Sequence, residues 1–148
     1  MKTYLVSITV MMLILIASAC SPAQTPVSTS PTSVPAETFT LATSIQDIVG
    51  TWHVANTKYL RFYEDGTAHQ ARSQEALDDQ PYAINEVSFE GTRMSLKEIA
   101  VSGVGSCGDA VGIYEVQLLS SGKIKLVRIE DSCSGRAGDI TLVYDPAQ

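Results

Sequence analysis

Catalysis needs nucleophiles, bases or paired acids at workable spacing, and this chain is thinly supplied with them. It has two histidines, His53 and His69, and three cysteines, Cys20, Cys107 and Cys133. A serine nucleophile needs an activating base and an exposed position on a tight elbow. No Gly-x-Ser-x-Gly stretch supplies one, because "SGVGS" at 102–106 has no central nucleophile. His53 follows Trp52 and points to the opposite face of an extended segment, while His69 lies in a strand beside the Asp65-Gly66 turn. Each reads as a partly exposed histidine. Carboxylate pairs occur at Glu64-Asp65, Asp78-Asp79 and Glu130-Asp131. Such pairs can serve glycoside hydrolysis or calcium, yet all three fall at predicted turns, where solvated carboxylates are ordinary. Neither an EF-hand loop nor a phosphate-cradling glycine loop is present. The expectation is a protein without catalytic residues, metal or cofactor.

The cysteines say more. The chain opens Met1-Lys2, and residues 4–19 are apolar and uncharged up to the small residues before Cys20. A basic start, an apolar segment and small residues make a secretory signal peptide. A membrane-spanning helix needs roughly 20 apolar residues, which makes this segment marginal as a span. Ala17-Ser18-Ala19-Cys20 resembles a bacterial lipobox, in which the cysteine thiol receives a diacylglyceryl group and the chain is cleaved just before it. By that resemblance Cys20 is the lipidation site and two or three acyl chains hold the protein at a membrane. At about 0.8 kcal/mol per buried methylene, more than one chain makes attachment effectively permanent. The expected location is a cell membrane or outer membrane, on its extracytoplasmic face.

Export leaves Cys107 and Cys133 in an oxidising compartment, where paired cysteines become disulfides. Bridging them closes a loop of about 26 residues, worth roughly 3–4 kcal/mol in the chain-entropy model. The rival, a metal site, lacks a second Cys or His at ligand spacing. Loss of Lys2 with the signal peptide leaves nine basic residues against sixteen acidic ones. That balance excludes nucleic acid as a partner, because phosphate binding needs clustered Lys and Arg.

These residues must be positioned by something, and the chain divides into three parts: a signal peptide at 1–19, a tether at 20–43 and a domain at 44–148. Twelve of the eighteen residues at 21–38 are Ser, Thr or Pro, with one charge, Glu37. Such a segment buries too little apolar surface to offset its ordering entropy. Fully extended, it reaches about 55 Å. From Ser44, which can cap a short helical turn, the texture is that of antiparallel strands. Gly50-Thr51-Trp52 opens the first, and "KYLRFYE" alternates before Asp65-Gly66 turns it into "TAHQARS". "SQEALDDQP" reads as one helical turn or loop. "YAINEVSFE" and "RMSLKEIAV" form a hairpin at Gly91-Thr92, and "VGIYEVQLL" and "KIKLVRIED" another at 120–122. The loop "SCSGRAGD" then leads to a last strand, "ITLVYD". About eight short strands in sequential hairpins hide their edges best by closure. The expected fold class is all-β: a small antiparallel up-and-down barrel, with a short helical turn before the first strand. A flattened, partly open barrel or sandwich is the alternative.

A Gly-x-Trp opening the first strand after a helical turn resembles the start of lipocalins and the wider calycin group. There the tryptophan closes one end of the barrel and packs under an arginine near the last strand; Trp52 and Arg136 are the matching residues. Residues 48–145 are also similar to a bacterial lipocalin-like lipoprotein domain. The shared pattern is a Cys, a Gly-x-Tyr strand, a hairpin and a second Cys followed by Arg. The leading expectation is binding of a small apolar or amphipathic ligand in the barrel, with Trp52, Tyr114 and Arg136 as its contacts; the alternative for the same residues is structural, Arg136 stacked on Trp52 and the Tyr114 face filling the core. The other reading, from a different class, is a non-catalytic envelope module with a solid barrel that meets a protein partner or glycan. A cavity of several hundred Å³ separates the two.

Overall fold

Short alternating segments and glycine-bearing turns leave the chain little choice but consecutive hairpins, and the computed structural model contains them. It describes residues 36–102 and 105–148; the signal peptide, Cys20 and the tether as far as residue 35 lie outside the described residues. The strands are β1 (Phe39–Leu41), β2 (Gly50–Val54), β3 (Lys58–Phe62), β4 (Thr67–Ala71), β5 (Ala83–Glu90), β6 (Arg93–Val101), β7 (Val111–Leu119), β8 (Ile124–Glu130) and β9 (Val143–Pro146). A 3-10 turn at Ile45–Asp47 precedes β2, and two short helices, α1 (Ala76–Asp79) and α2 (Ser134–Ile140), interrupt the run. Among the described residues no helix is long and apolar enough to cross a membrane.

Strands β2 to β8 pair in antiparallel succession, except that β9 inserts between β8 and β2 and closes the ring. The result is a closed eight-stranded antiparallel barrel, as the alternation predicts. The closing contacts are few: Trp52 stands opposite Pro146 and His53 opposite Asp145, while Ile124 and Lys125 face Tyr144 and Val143. β1 adds a ninth strand by pairing Phe39–Leu41 with the end of β7. Ala42 is buried and its N–H donates to the Val116 carbonyl at 2.9 Å. The sheet therefore includes Phe39–Leu41, ahead of the boundary expected at residue 44.

Turn chemistry follows the local sequence. Gly66 adopts φ +83°, and a side chain there would also press on the Val87 carbonyl at 3.3 Å. Asp65 accepts from the Thr67 N–H at 2.9 Å, an Asx-type bracket of the same turn. Before β2, the Asp47 carboxylate accepts from the N–H groups of Thr43 and Ser44 at 2.8 and 3.0 Å, which fixes the 3-10 turn.

The last connection departs from expectation. The segment "SCSGRAGD" is helical rather than a loop, and the last strand starts at Val143 instead of Ile140. Two glycines in seven residues disfavour a helix on propensity. Tertiary contacts decide: Ala137 and Ile140 are buried in the core, Ala137 N–H bonds the Cys133 carbonyl at 2.9 Å, and Cys133 is held by a disulfide.

Inward positions fill most of the barrel. Leu60, Phe62, Met94, Leu96, Tyr114, Val116, Leu126 and Tyr144 belong to one buried cluster, with Trp52 packed against it. The filling is not uniform along the axis. Across β4, β5 and β6 the facing pairs run Phe89–Met94 and Val87–Leu96, then Asn85 between Ala68 and Glu98, then Ala83 beside Gln70. The inner wall thus turns from apolar to polar toward the end where β5 and β7 begin.

Candidate functional site

At that polar end the site is organised by a buried carboxylate. Asp131, just past β8, and Arg136, on α2, expose 0% and 4% of their side chains. Arg136 Nε donates to Asp131 Oδ2 at 2.7 Å and Nη2 to Oδ1 at 2.9 Å, a two-pronged pairing. Nη2 also donates to the Ala110 carbonyl at 2.9 Å. The Tyr114 hydroxyl donates to Asp131 Oδ2, and the Cys133 N–H to Oδ1 at 2.8 Å. Gly112 makes the room: a Cβ there would lie 2.5 Å from Asp131 Oδ2.

The electrostatics follow from burial and pairing. Burial opposes ionisation of Asp131, but hydrogen bonds from Arg136, Tyr114 and the Cys133 N–H outweigh it and hold the carboxyl below its ordinary range. Burial first, then the bond to Asp131, pushes the Tyr114 phenol well above its usual value. Burial acts against the Arg136 cation, and the Asp131 partner more than compensates. The group is a neutral, desolvated ion pair with a phenol clamped to it. Expectation placed Asp131 among solvated turn carboxylates. The structure corrects that, because α2 folds Arg136 back over it.

Above this pair opens a cavity of about 310 Å³, whose lining includes Gln70, Tyr82, Asn85, Glu98 and Arg136. The Cys107–Cys133 disulfide, with Cα atoms 5.4 Å apart, also lines it and ties the 105–107 loop to the start of α2. Glu98 Oε1 accepts from Ser106 Oγ at 2.7 Å and from the Cys107 N–H at 2.9 Å. Gln70 Oε1 accepts from the Tyr82 hydroxyl at 3.3 Å. Two members of the lining stand apart. Asn85 is 1% exposed, and neither its amide oxygen nor its amide nitrogen has a partner. Arg136 Nη1 is likewise buried and unpartnered. Buried polar groups are almost always bonded, and these three atoms, on two residues of one lining, are not.

Sequence reasoning placed the site residues unevenly. The disulfide joins the two cysteines expected. Arg136 lines the cavity. Tyr114 does not: it is fully buried in the core, with its hydroxyl on Asp131. Trp52 does not either; its Nε1–H donates to the Ile48 carbonyl at 2.9 Å and its ring packs on the core. Trp52 is not under Arg136, whose partners are Asp131 and Ala110. Among the described residues the cation over a ring is Arg61, 5.8 Å from the centre of Tyr63. Asn85, Gln70 and Glu98 were missed. The signal for Asn85 was present in "YAINEVSFE", where alternation puts Ala83, Asn85, Val87 and Phe89 on one face and only one of them is polar.

The histidines stay outside the cavity. His53 stacks on Tyr59 on the outer wall at 5.7 Å, and His69 packs on Tyr63 at 4.6 Å with Nδ1 2.8 Å from the Leu77 carbonyl. His53 Nδ1 is unpartnered beneath a groove of about 580 Å³, but the charged groups there, Lys123 and Asp145, pair with each other at 2.9 Å. Asp78, expected as solvated, binds Arg61 at 2.7 and 2.9 Å and the Tyr63 hydroxyl at 2.5 Å on the same outer surface. Among the described residues no group of three or more His, Cys, Asp or Glu converges as metal ligands would. Comparison of the chain with protein-family models, with curated proteins and with solved structures finds no match in any of the three.

Proposed function

We propose that this chain is a lipid-anchored, extracytoplasmic binding protein without catalysis, which holds a small amphipathic molecule at the polar mouth of a lipocalin-like barrel. The lipobox-like "ASAC" at 17–20 and the Ser/Thr/Pro tether behind it support the anchor. One observation carries the binding role: Asn85 and Arg136 Nη1 are desolvated and unpartnered in the wall of a cavity of about 310 Å³. An unmade hydrogen bond in a buried site costs about 1–3 kcal/mol per group. A ligand that satisfies the groups recovers that cost. The size falls at the lower end for small-molecule sites, and Ala83 with the Cys107–Cys133 disulfide gives the wall a less polar part against which an amphipathic molecule can lay its greasy portion.

The mature chain carrying Cys20→Ser, titrated with an amphipathic fluorescent probe, tests the reading. Saturable binding, lost when Ala83→Leu fills the cavity, is the expected result. Binding that is unsaturable, or indifferent to Ala83→Leu, overturns it. The second reading, an envelope interaction module, is favoured by the packed interior below the mouth, where Phe62, Met94, Leu96 and Tyr114 leave no exposed surface. It gains if no probe binds. For the anchor, the mature product should partition with membranes and carry an acylated N-terminal Cys20, and Cys20→Ala should release it.

A further inference from the structure

We infer that the mouth recognises a neutral molecule bearing an imide or ureide edge, in which one N–H stands between two carbonyls. This rests on the mouth being a binding site, as proposed above, and concerns which chemistry fits it.

Charge comes first. Arg136 supplies positive charge to the wall, and Asp131 already cancels it through two hydrogen bonds. Glu98, which faces Asn85 across the β5–β6 pair, adds a further carboxylate, with Oε1 occupied by Ser106 and Cys107. A ligand anion therefore meets no surplus cation and one extra negative group. A ligand cation could pair with Glu98, but it brings no acceptor for Arg136 Nη1 or the Asn85 amide nitrogen, which only donate. A neutral ligand that carries acceptors avoids both shortfalls.

Hydrogen-bond inventory comes next. What remains unspent is the Asn85 amide nitrogen, the Asn85 amide oxygen and Arg136 Nη1. An amide presents a donor and an acceptor side by side, and a guanidinium nitrogen only donates. The complement is one donor with two acceptors. A cyclic imide or ureide carries that set on one planar edge, whereas a lone hydroxyl cannot fill it. Room for the edge lies in the cavity of about 310 Å³ that Asn85 and Arg136 both line, with the small side chain of Ala83 beside them.

Uracil and 1,3-dimethyluracil separate the inference from its alternatives, since they share a ring and differ in the N–H groups. The side-chain amide of Asn85 is followed by NMR in the isotope-labelled mature chain carrying Cys20→Ser, with benzoate as an anionic control. Uracil should shift that amide saturably, 1,3-dimethyluracil should bind about ten-fold more weakly, and benzoate should not compete. Asn85→Leu should abolish the uracil response, and Asn85→Asp, which keeps an acceptor and loses the donor, should weaken it. Equal binding of the two uracils, tighter binding of benzoate, or a mouth that takes the fluorescent amphipathic probe and not uracil overturns the imide assignment and leaves the binding site standing. If neither uracil nor the fluorescent probe perturbs the mouth, with Asn85 showing exchange with water only, both the assignment and the binding role fall.

Discussion

The Asp131 carboxylate occupies the space that a side chain on Gly112 would take. A Cβ at 112 would sit 2.5 Å from Asp131 Oδ2 and 2.7 Å from Tyr114 Cε2. Glycine is needed here for close approach, because its neighbours on both sides belong to the buried ion-pair cluster. Gly112→Ala must displace Asp131, Tyr114 or the β7 backbone. Overpacking of this kind costs about 1–3 kcal/mol, with more if the Asp131–Arg136 pairing is lost. Urea unfolding should show a lower midpoint with little change in slope. A variant as stable as the parent would mean that Asp131 is not seated against Gly112.

Removing one partner of the ion pair should cost more than removing both. Asp131→Asn leaves the Arg136 cation desolvated and uncompensated, which costs about 3–5 kcal/mol. Asp131→Leu combined with Arg136→Met removes both charges and should recover much of that loss. Chemical denaturation of the two variants beside the parent gives the comparison. If the double variant is no better than Asp131→Asn, the cluster's value lies in shape and not in charge.

The pH dependence has a definite sign. Asp131 in the folded protein lies below the ordinary carboxylate range, so it binds its proton more weakly than in the unfolded chain. Its contribution is complete above the unfolded value of about 3.9 and is lost as pH falls through the folded value. Thermal melts from neutral pH downward should show the gap between the parent and Asp131→Asn holding to about pH 4 and narrowing below it. A gap that widens in acid would contradict the assignment. Exposed carboxylates such as Asp47 and Asp65 are also lowered, by hydrogen bonds from Thr43 and Thr67. They are common to both proteins and cancel in the comparison.

The disulfide staples the cavity rim as well as the chain. Cys107 and Cys133 lie 26 residues apart, and closing such a loop contributes about 3.5 kcal/mol in the entropy model. Paired Cys107→Ser and Cys133→Ser substitutions should lower stability by that order. They should also speed hydrogen exchange in α2 and in the 105–107 loop ahead of the barrel strands. Exchange rising equally everywhere would mean the bond acts on the unfolded state alone.

How far the molecule could be read in advance depends on whether its determinants were local. Alternation put Leu60 and Phe62 inside and Arg61 and Tyr63 outside, and the Asp65-Gly66 turn fixed that hairpin's register. Closure followed from the number of strands. Export chemistry predicted the Cys107–Cys133 bond. The failures share one cause, dependence on distant contacts. β1 is three residues long and exists because β7 offers it an edge. α2 has poor propensity and forms because Cys133, Arg136 and Ile140 are each held from outside. Asp131, beside Glu130 at a strand end, looks solvated until Arg136 covers it. Trp52 and Tyr114, which the resemblance singled out, pack at the core and do not line the cavity, whose polar lining includes Asn85 and Glu98.

The claim that most needs testing is that the polar groups in the mouth exist for a ligand at the expense of the fold. Asn85→Leu removes two unpartnered polar atoms from a buried position that borders a cavity and keeps the same branched outline, the larger methyl groups having the cavity to extend into. The account predicts that this variant is more stable than the parent by about 1–2 kcal/mol and no longer binds a mouth-directed probe that the parent binds saturably. Stability and binding measured on the same two preparations decide it. A variant that is less stable, or that binds as the parent does, would show that Asn85 belongs to the scaffold.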